Sequence, residues 1–596
     1  MPRPVAAVAS VLLAMLPVPV RAQEAPRVAA LDDVFQPSLV PVTEGATVTF
    51  VNDGTNPHTV TADDGSFDSG NLDPGETFST TVDEPGRFSF FCEYHGGPGG
   101  LGMAGTLLVG DVDAAAAGEP KPAPPPPGGG RTLRVPDDFG TIQGAVDEAR
   151  PGDLVLIDPG VYGEAVRVTT PFLTIRGVDR NTVILDGGFE LANGVHVLDA
   201  DGVTVENLTA RHYLVNGFYW IGVDGYRGSY LTAYNNGDYG VYAYDSVHGQ
   251  FDHSYASGHP DSGFYIGQCD PCHALVTEVL AEHNALGWSG TNASGELVLA
   301  NSEWRNNMAG IVPNTLDSEL LPPQRAQTIV GNWVHDNNER SAPALPGTYP
   351  AFGSGIVLAG GLDNVVERNL VEDHQRFGIV AFPNIDRNFW MAGGNEVQDN
   401  VVRGSGVADL AVGGPALAGN CFQANEFGTS LPPAIQVVSG CGFSPTGGGG
   451  GDLAVSASFL GLFAEAESGG YPRGSWRTQP VPPPQPTMPG AASAPPAPAV
   501  SVPDPIDLSA ISIPGGDGTP NDVDREVTVL GVAVGATGFW SVLISLYAYV
   551  LPLVLYAAWV SIAVWDLIRR DDLSLGARAG WMAGILIVPV LGPVAY

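Results

Sequence analysis

The chain has 596 residues, a formal charge of −38 from 26 basic and 64 acidic side chains, and a single lysine, Lys121. Its length exceeds one ordinary domain and suggests three or four. So acidic a surface repels nucleic acid, and no nucleic-acid partner is expected.

Residues 1–22 carry Arg3, an apolar run over 5–16 and the small-residue site Val20-Arg21-Ala22. This pattern reads as a secretory signal peptide cut after Ala22, with an uncleaved anchor as the alternative. Export places the five cysteines in an oxidising compartment.

Over 28–111, β-branched and aromatic runs at 46–52, 76–82, 87–91 and 105–110 are separated by turn signals such as Asp53-Gly54 and Asp73-Pro74-Gly75. Short strands with Gly/Pro turns predict an antiparallel β-sandwich. At the predicted strand ends stand His58, Cys92, His95 and Met103, the last three in one loop and His58 34 residues before Cys92. A thiolate, two imidazoles and a distant thioether suit copper in both oxidation states. A copper-free sandwich with one buried cysteine is the alternative.

These residues resemble the plastocyanin, halocyanin and pseudoazurin family of cupredoxins. The resemblance implies a Greek-key sandwich and one type 1 copper held by His58, Cys92, His95 and Met103. It also implies one-electron exchange with a redox partner protein docking near His95. Seven residues, mostly glycine, separate His95 from Met103, more than is usual in the family. The loop is expected to bend to compensate.

Residues 112–131 form a Pro/Gly-rich linker. Beyond it, over 132–442, glycine followed by apolar residues recurs at Gly194, Gly217, Gly240, Gly263, Gly287 and Gly310, spaced by 23 or 24, and resumes at Gly355 and Gly378. A unit this short cannot bury its own apolar face and must stack on its neighbours. Short β segments with Asn corners (Asn235-Asn236, Asn306-Asn307, Asn337-Asn338) and no long helix predict one coil of a parallel β-helix per repeat. Residues 141–150 read as a short amphipathic helix capping the open end. The segments 135–143 and 151–162 resemble the opening of right-handed parallel β-helix proteins, a group that includes pectin-acting enzymes and NosD-like, copper-associated periplasmic proteins. That resemblance implies a fold and not an activity.

No convincing catalytic set stands out in this region. It lacks lysine, so an arginine is the one strong base left for lyase chemistry. The chain is therefore expected to be an electron carrier rather than an enzyme, with polysaccharide lyase or hydrolase activity as the alternative. Tyr219, Tyr242 and Tyr265 hold one position in three successive coils, a ladder that either stabilises the solenoid or stacks on the sugar rings of an extracellular glycan. His248, His253, His259, His273 and His283, near Asp252, Asp261 and Asp270, are scattered histidines or a second metal site. Cys269-Asp270-Pro271-Cys272-His273 matches a haem c attachment pattern, but a haem would displace a coil, and a local disulfide or a Cys/His metal site is favoured. Cys421 and Cys441 form a second local pair, and Cys92 is left as the thiolate. Closing that loop of about twenty residues is worth around 3 kcal/mol through the unfolded chain.

Residues 443–525 are Pro/Gly-rich and read as a flexible stalk. Over 526–596, two apolar stretches, 539–565 and 581–596, flank Arg569, Arg570 and Arg578, predicting a transmembrane α-hairpin with a cytoplasmic loop. Trp565, Arg569, Arg570, Arg578, Trp581, Pro589 and Pro593 resemble the membrane segment preceding the catalytic part of cardiolipin-synthase-like phospholipase D proteins. No phospholipase His/Lys motif follows, so the resemblance implies an anchor alone. The expected whole is a mainly β, multidomain, membrane-tethered extracytoplasmic copper protein at the cell membrane, with the β-helix as a docking platform. The alternatives are a NosD-like copper-delivery factor and a carbohydrate-binding or polysaccharide-cleaving protein.

Overall fold

The computed structural model describes residues 26–110, 130–442, 450–496 and 503–515, with two short paired strands, Val527–Val529 and Val532–Val534. The expected signal peptide (1–22) and the two apolar stretches (539–565 and 581–596) lie outside the described residues. Among the described residues no helix is long and apolar enough to cross a membrane.

The first domain has eight strands: β1 (Arg27–Leu31), β2 (Val34–Gln36), β3 (Leu39–Val42), β4 (Thr47–Asn52), β5 (Thr61–Ala62), β6 (Thr77–Thr81), β7 (Gly86–Gly97) and β8 (Leu101–Val109). They form two four-stranded sheets, ordered β2-β1-β4-β6 and β3-β8-β7-β5. The sheets are mixed rather than purely antiparallel, because β1 lies parallel to β4 and β3 parallel to β8. Beyond β4 the chain alternates between sheets instead of making hairpins, until β7 and β8. Along β4, Val48, Phe50 and Asn52 are buried while their neighbours are not, the two-residue period of a strand with one covered face. Phe35, Phe50 and Phe90 meet edge to face at 4.9 and 5.1 Å between centroids and form the aromatic heart of the sandwich.

The second domain is a solenoid of three parallel sheets with 12, 11 and 11 strands. Val195, Phe218, Val241 and Phe264 stand in register, one per coil. The repeat glycine has a steric cause. A Cβ at Gly194, Gly217, Gly240 or Gly310 would lie 2.4–2.7 Å from the carbonyl oxygen of the next repeat glycine, inside any tolerable contact. Buried asparagines at the coil corners form ladders: Asn284 donates to Asn307 and Asn307 to Asn337, each at 3.0 Å. These amides bond one another and nearby backbone, which makes a polar corner tolerable in the interior. Helix α1 (Ile142–Glu148), capped by the Thr141 hydroxyl, seals one end with Ile142, Ala145 and Val146. Near the other end, α2 (Ile435–Val438) sends Ile435 into the core. The disulfides Cys269–Cys272 and Cys421–Cys441 are formed, and Cys92 is free and buried.

The segment expected as a free stalk behaves differently over its described residues. Helix α3 (Leu453–Glu467) stacks Phe459 on Phe377 and Phe382, at 5.4 and 3.9 Å between centroids. Farther on, the carbonyls of Ala494 and Pro495 accept from the buried Arg176 guanidinium at 2.6 and 2.8 Å, and Asp504 pairs with Arg227 at 3.2 Å. Proline lacks a backbone N–H but keeps its carbonyl, so a Pro-rich strap can still satisfy an arginine on the solenoid surface.

Candidate metal centre

His58 lies between β4 and β5, where its backbone exchanges hydrogen bonds of 3.0 and 2.7 Å with Leu72. Cys92 and His95 lie on β7 and Met103 on β8. All four side chains are buried. His58 Nδ1 and His95 Nδ1 are 3.1 Å apart, and Cys92 Sγ lies 3.8 and 3.5 Å from them. The point equidistant from these three atoms is about 2.0 Å from each, close to transition-metal bond lengths to imidazole and slightly short of those to thiolate. The His₂Cys set in this compact triangle therefore fits a copper ion. Thr59 N–H approaches Cys92 Sγ at 3.3 Å, a donor aimed at the thiolate. Met103 is packed in the same core cluster as Cys92.

The glycine-rich stretch between His95 and Met103 is not a loop but the end of a β-hairpin. Gly96 pairs with Gly102 and Gly97 with Leu101, and the register shifts between Phe91 and Gly96. Residues 92–95 therefore bulge out opposite Met103 alone. The extra residues become a hairpin tip, with Met103 on the strand that pairs with β7. Glycine is required at its base: a Cβ on Gly96 would lie 2.4 Å from the Met103 carbonyl oxygen.

That tip and the ligand His95 face the solenoid. Leu101 packs against Leu198, Ile221 and the tyrosines. Gly102 N–H donates to Asp199 at 2.8 Å, and Asn193 donates to the Tyr94 carbonyl at 2.8 Å. Two carboxylates in the β1–β2 turn lie behind the imidazoles, Asp32 3.9 Å from His58 Nε2 and Asp33 3.6 Å from His95 Nε2. Burial works against the Asp32 charge, but the His58 imidazole and the Thr55 N–H (2.6 Å) and hydroxyl (2.9 Å) outweigh it and hold its pKa below the ordinary value. Asp33 accepts from the Tyr219 hydroxyl at 2.9 Å and from that of Tyr242.

Tyr219, Tyr242 and Tyr265 do form a ladder, with centroids 4.7 Å apart at both steps. All three are buried, and burial pushes their phenols well above 10. With the copper-site domain and its neighbours covering them, their ring faces are not open to a sugar. His95 meets Tyr219 edge-on at 6.4 Å. Sequence reasoning missed Asp32, Asp33, Tyr239 and Tyr244. Asp32-Asp33 reads as an ordinary turn, and Tyr244 stands in register with Ile221 and Gly267, so the 23-residue period does not mark it.

The other candidates do not converge. Cys269 and Cys272 are bonded to each other and buried, so attachment of a haem c there, with His273 as ligand, is not supported. His273 instead pairs with Glu296 at 2.8 Å and stacks on His248 at 4.7 Å. His253 pairs with Asp252 and Glu278, and His259 bonds Asn284. Among the described residues, the group of potential ligands that comes together is His58, Cys92 and His95.

Three family models match the chain: a cupredoxin-like domain over residues 4–108, a right handed beta helix region over 193–384, and a phospholipase D-nuclease N-terminal segment over 557–596. The chloroplastic plastocyanin of rice, Oryza sativa subsp. indica, is 39% identical over 88 residues, which are 13% of this chain and 54% of that one. The plastocyanin of Scenedesmus fuscus is 38% identical over 87 residues, 13% of this chain and 86% of its own. The chain thus spans about half the length of the rice protein and most of the algal one. Among solved structures, the A-module of the Azotobacter vinelandii mannuronan C-5 epimerase AlgE6 aligns at 14% identity over 48% of this chain and 92% of its own, with a TM-score of 0.34. An overlap that weak carries no argument about activity.

Proposed function

The chain belongs, through its amino-terminal domain, to the plastocyanin family, and from that premise we propose that it is a membrane-tethered, extracytoplasmic blue copper protein that passes single electrons to and from a redox partner protein. The observation that carries this reading is the buried triangle of His58 Nδ1, His95 Nδ1 and Cys92 Sγ. Copper bound there supplies a Cu(II)/Cu(I) couple. His58, His95 and Cys92 would hold it, with Met103 as the candidate fourth ligand.

The chain's own residues keep that site rigid. The bulge fixes Cys92 and His95 on one strand, Thr59 N–H faces the sulfur, and the Leu72 bridge pins His58. A cage that changes little between oxidation states loses little to reorganisation. Burial of every ligand favours retention over delivery, so an electron carrier is preferred to a copper-delivery factor. The β-helix serves as the platform on which the copper domain sits, and the stretches 539–565 and 581–596 supply the membrane anchor.

The test is to load the purified full chain with Cu(II) and record its visible spectrum. An intense thiolate-to-copper charge-transfer band is expected, and it should vanish in Cys92→Ser. A band that persists in that variant, or a wild-type chain that stays colourless, contradicts the assignment.

A further inference from the structure

The outward face of the sheet that carries the tyrosine ladder continues past Tyr265 into a cavity of about 420 Å³, a size suited to a small organic ligand. In the next coil Ser289, in register with Tyr265, is already part of its wall. The copper domain closes one side with Asp32, Gly54 and Thr55, and residues 345–351 close another. The lining divides by chemistry. One part is apolar, with Leu286, Val312, Val357 and Phe382, while the polar part holds four carboxylates, Asp32, Asp261, Glu319 and Asp386, and no arginine, lysine or histidine.

Of these four acids, only Asp32 has an ion-pairing partner among the described residues. Asp32 is engaged by Thr55 and faces His58, and Asp386 accepts from the Asp317 backbone at 2.6 Å. Asp261 and Glu319 form no ion pair among the described residues. Glu319 is 94% buried; its Oε1 accepts from the Tyr265 hydroxyl, but its Oε2 is buried with no hydrogen-bond partner among the described residues. An orphaned carboxylate oxygen in a cavity wall is a costly feature unless something occupies the space. Burial without a cation also pushes Asp261 up to about 7 and Glu319 well above the usual carboxylate range.

We propose that this interdomain cavity binds a small organic cation, an ammonium on an apolar body, with the ammonium on Glu319 and Asp261 and the apolar part against Val312, Val357 and Phe382. An ammonium brings donors, which the orphaned oxygen needs, and the charge that the wall lacks. The site exists only where the copper domain rests on the solenoid, since both contribute to its lining.

The probe is benzylammonium, titrated into the copper-loaded full chain by calorimetry, with benzyl alcohol and benzoate as neutral and anionic counterparts. Saturable one-to-one binding of the amine is expected, weakened about tenfold or more in Glu319→Gln and abolished in Val312→Trp, which fills the apolar end. Glu319→Gln is nearly isosteric and leaves an amide oxygen to accept from Tyr265, so the fold is retained. A normal copper spectrum in each variant shows that the copper site is undisturbed. Equal binding of benzyl alcohol, unchanged affinity in Glu319→Gln, or no binding of the amine overturns the proposal.

Discussion

Asp33 is where the metal centre and the solenoid touch through a single side chain. Its carboxylate sits 3.6 Å from His95 Nε2 and takes hydroxyls from Tyr219 and Tyr242. A buried negative charge beside a ligand imidazole favours the more positive metal state. Removing it in Asp33→Asn is expected to raise the reduction potential by on the order of 50–100 mV, with the visible band retained; an unchanged potential would contradict this placement. The residues that come together, His58, Cys92 and His95, were legible in the sequence because copper chemistry dictates their types and their places at strand ends. Asp32 and Asp33 were not, because their role depends on a second domain more than a hundred residues away, and nothing in a two-residue acidic turn announces that contact.

At the scale of elements, the hairpin tip and the tyrosine ladder hold the domains together. Tyr242→Phe removes one hydroxyl from a buried carboxylate and is expected to weaken docking by about 1.5–3 kcal/mol. Amide exchange at residues 92–103 should accelerate in that variant. It should stay unchanged in Tyr265→Phe, whose hydroxyl bonds Glu319 instead. Helix α3 offers a separate case: Phe459→Ala strips the stack on Phe377 and Phe382. It should cost about 3–5 kcal/mol of local stability, read as faster exchange over Leu453–Glu467. The 23-residue coil was legible because the Cβ clash at each repeat glycine writes itself into the sequence as a period. The strap along the solenoid was not, since a Pro/Gly/Ala-rich composition describes what a segment cannot form and is silent on which arginine its carbonyls will satisfy.

For the molecule as a whole, the junction of the two domains concentrates buried acids. Burial, then the charge of neighbouring Asp32, drives Asp261 from an ordinary 3.8 to about 7, with the Tyr239 hydroxyl opposing the shift. A carboxyl whose folded pKa is raised is held protonated by the fold. Its contribution is fully present below about 4 and is lost as pH rises through about 7. Stability of the docked pair should therefore fall across that window. Thermal unfolding of wild type and Asp261→Asn between pH 5 and about 8 checks this: the variant is expected to show a flatter profile, and identical slopes would contradict it.

The most direct test of the central claim is voltammetry of the copper-loaded full chain, with copper content assayed before and after cycling. A single reversible one-electron wave, with one copper per chain retained throughout, is the expected result. Loss of copper on reduction, or no reversible wave from a fully loaded protein, would contradict a rigid electron-carrying site built on His58, Cys92 and His95.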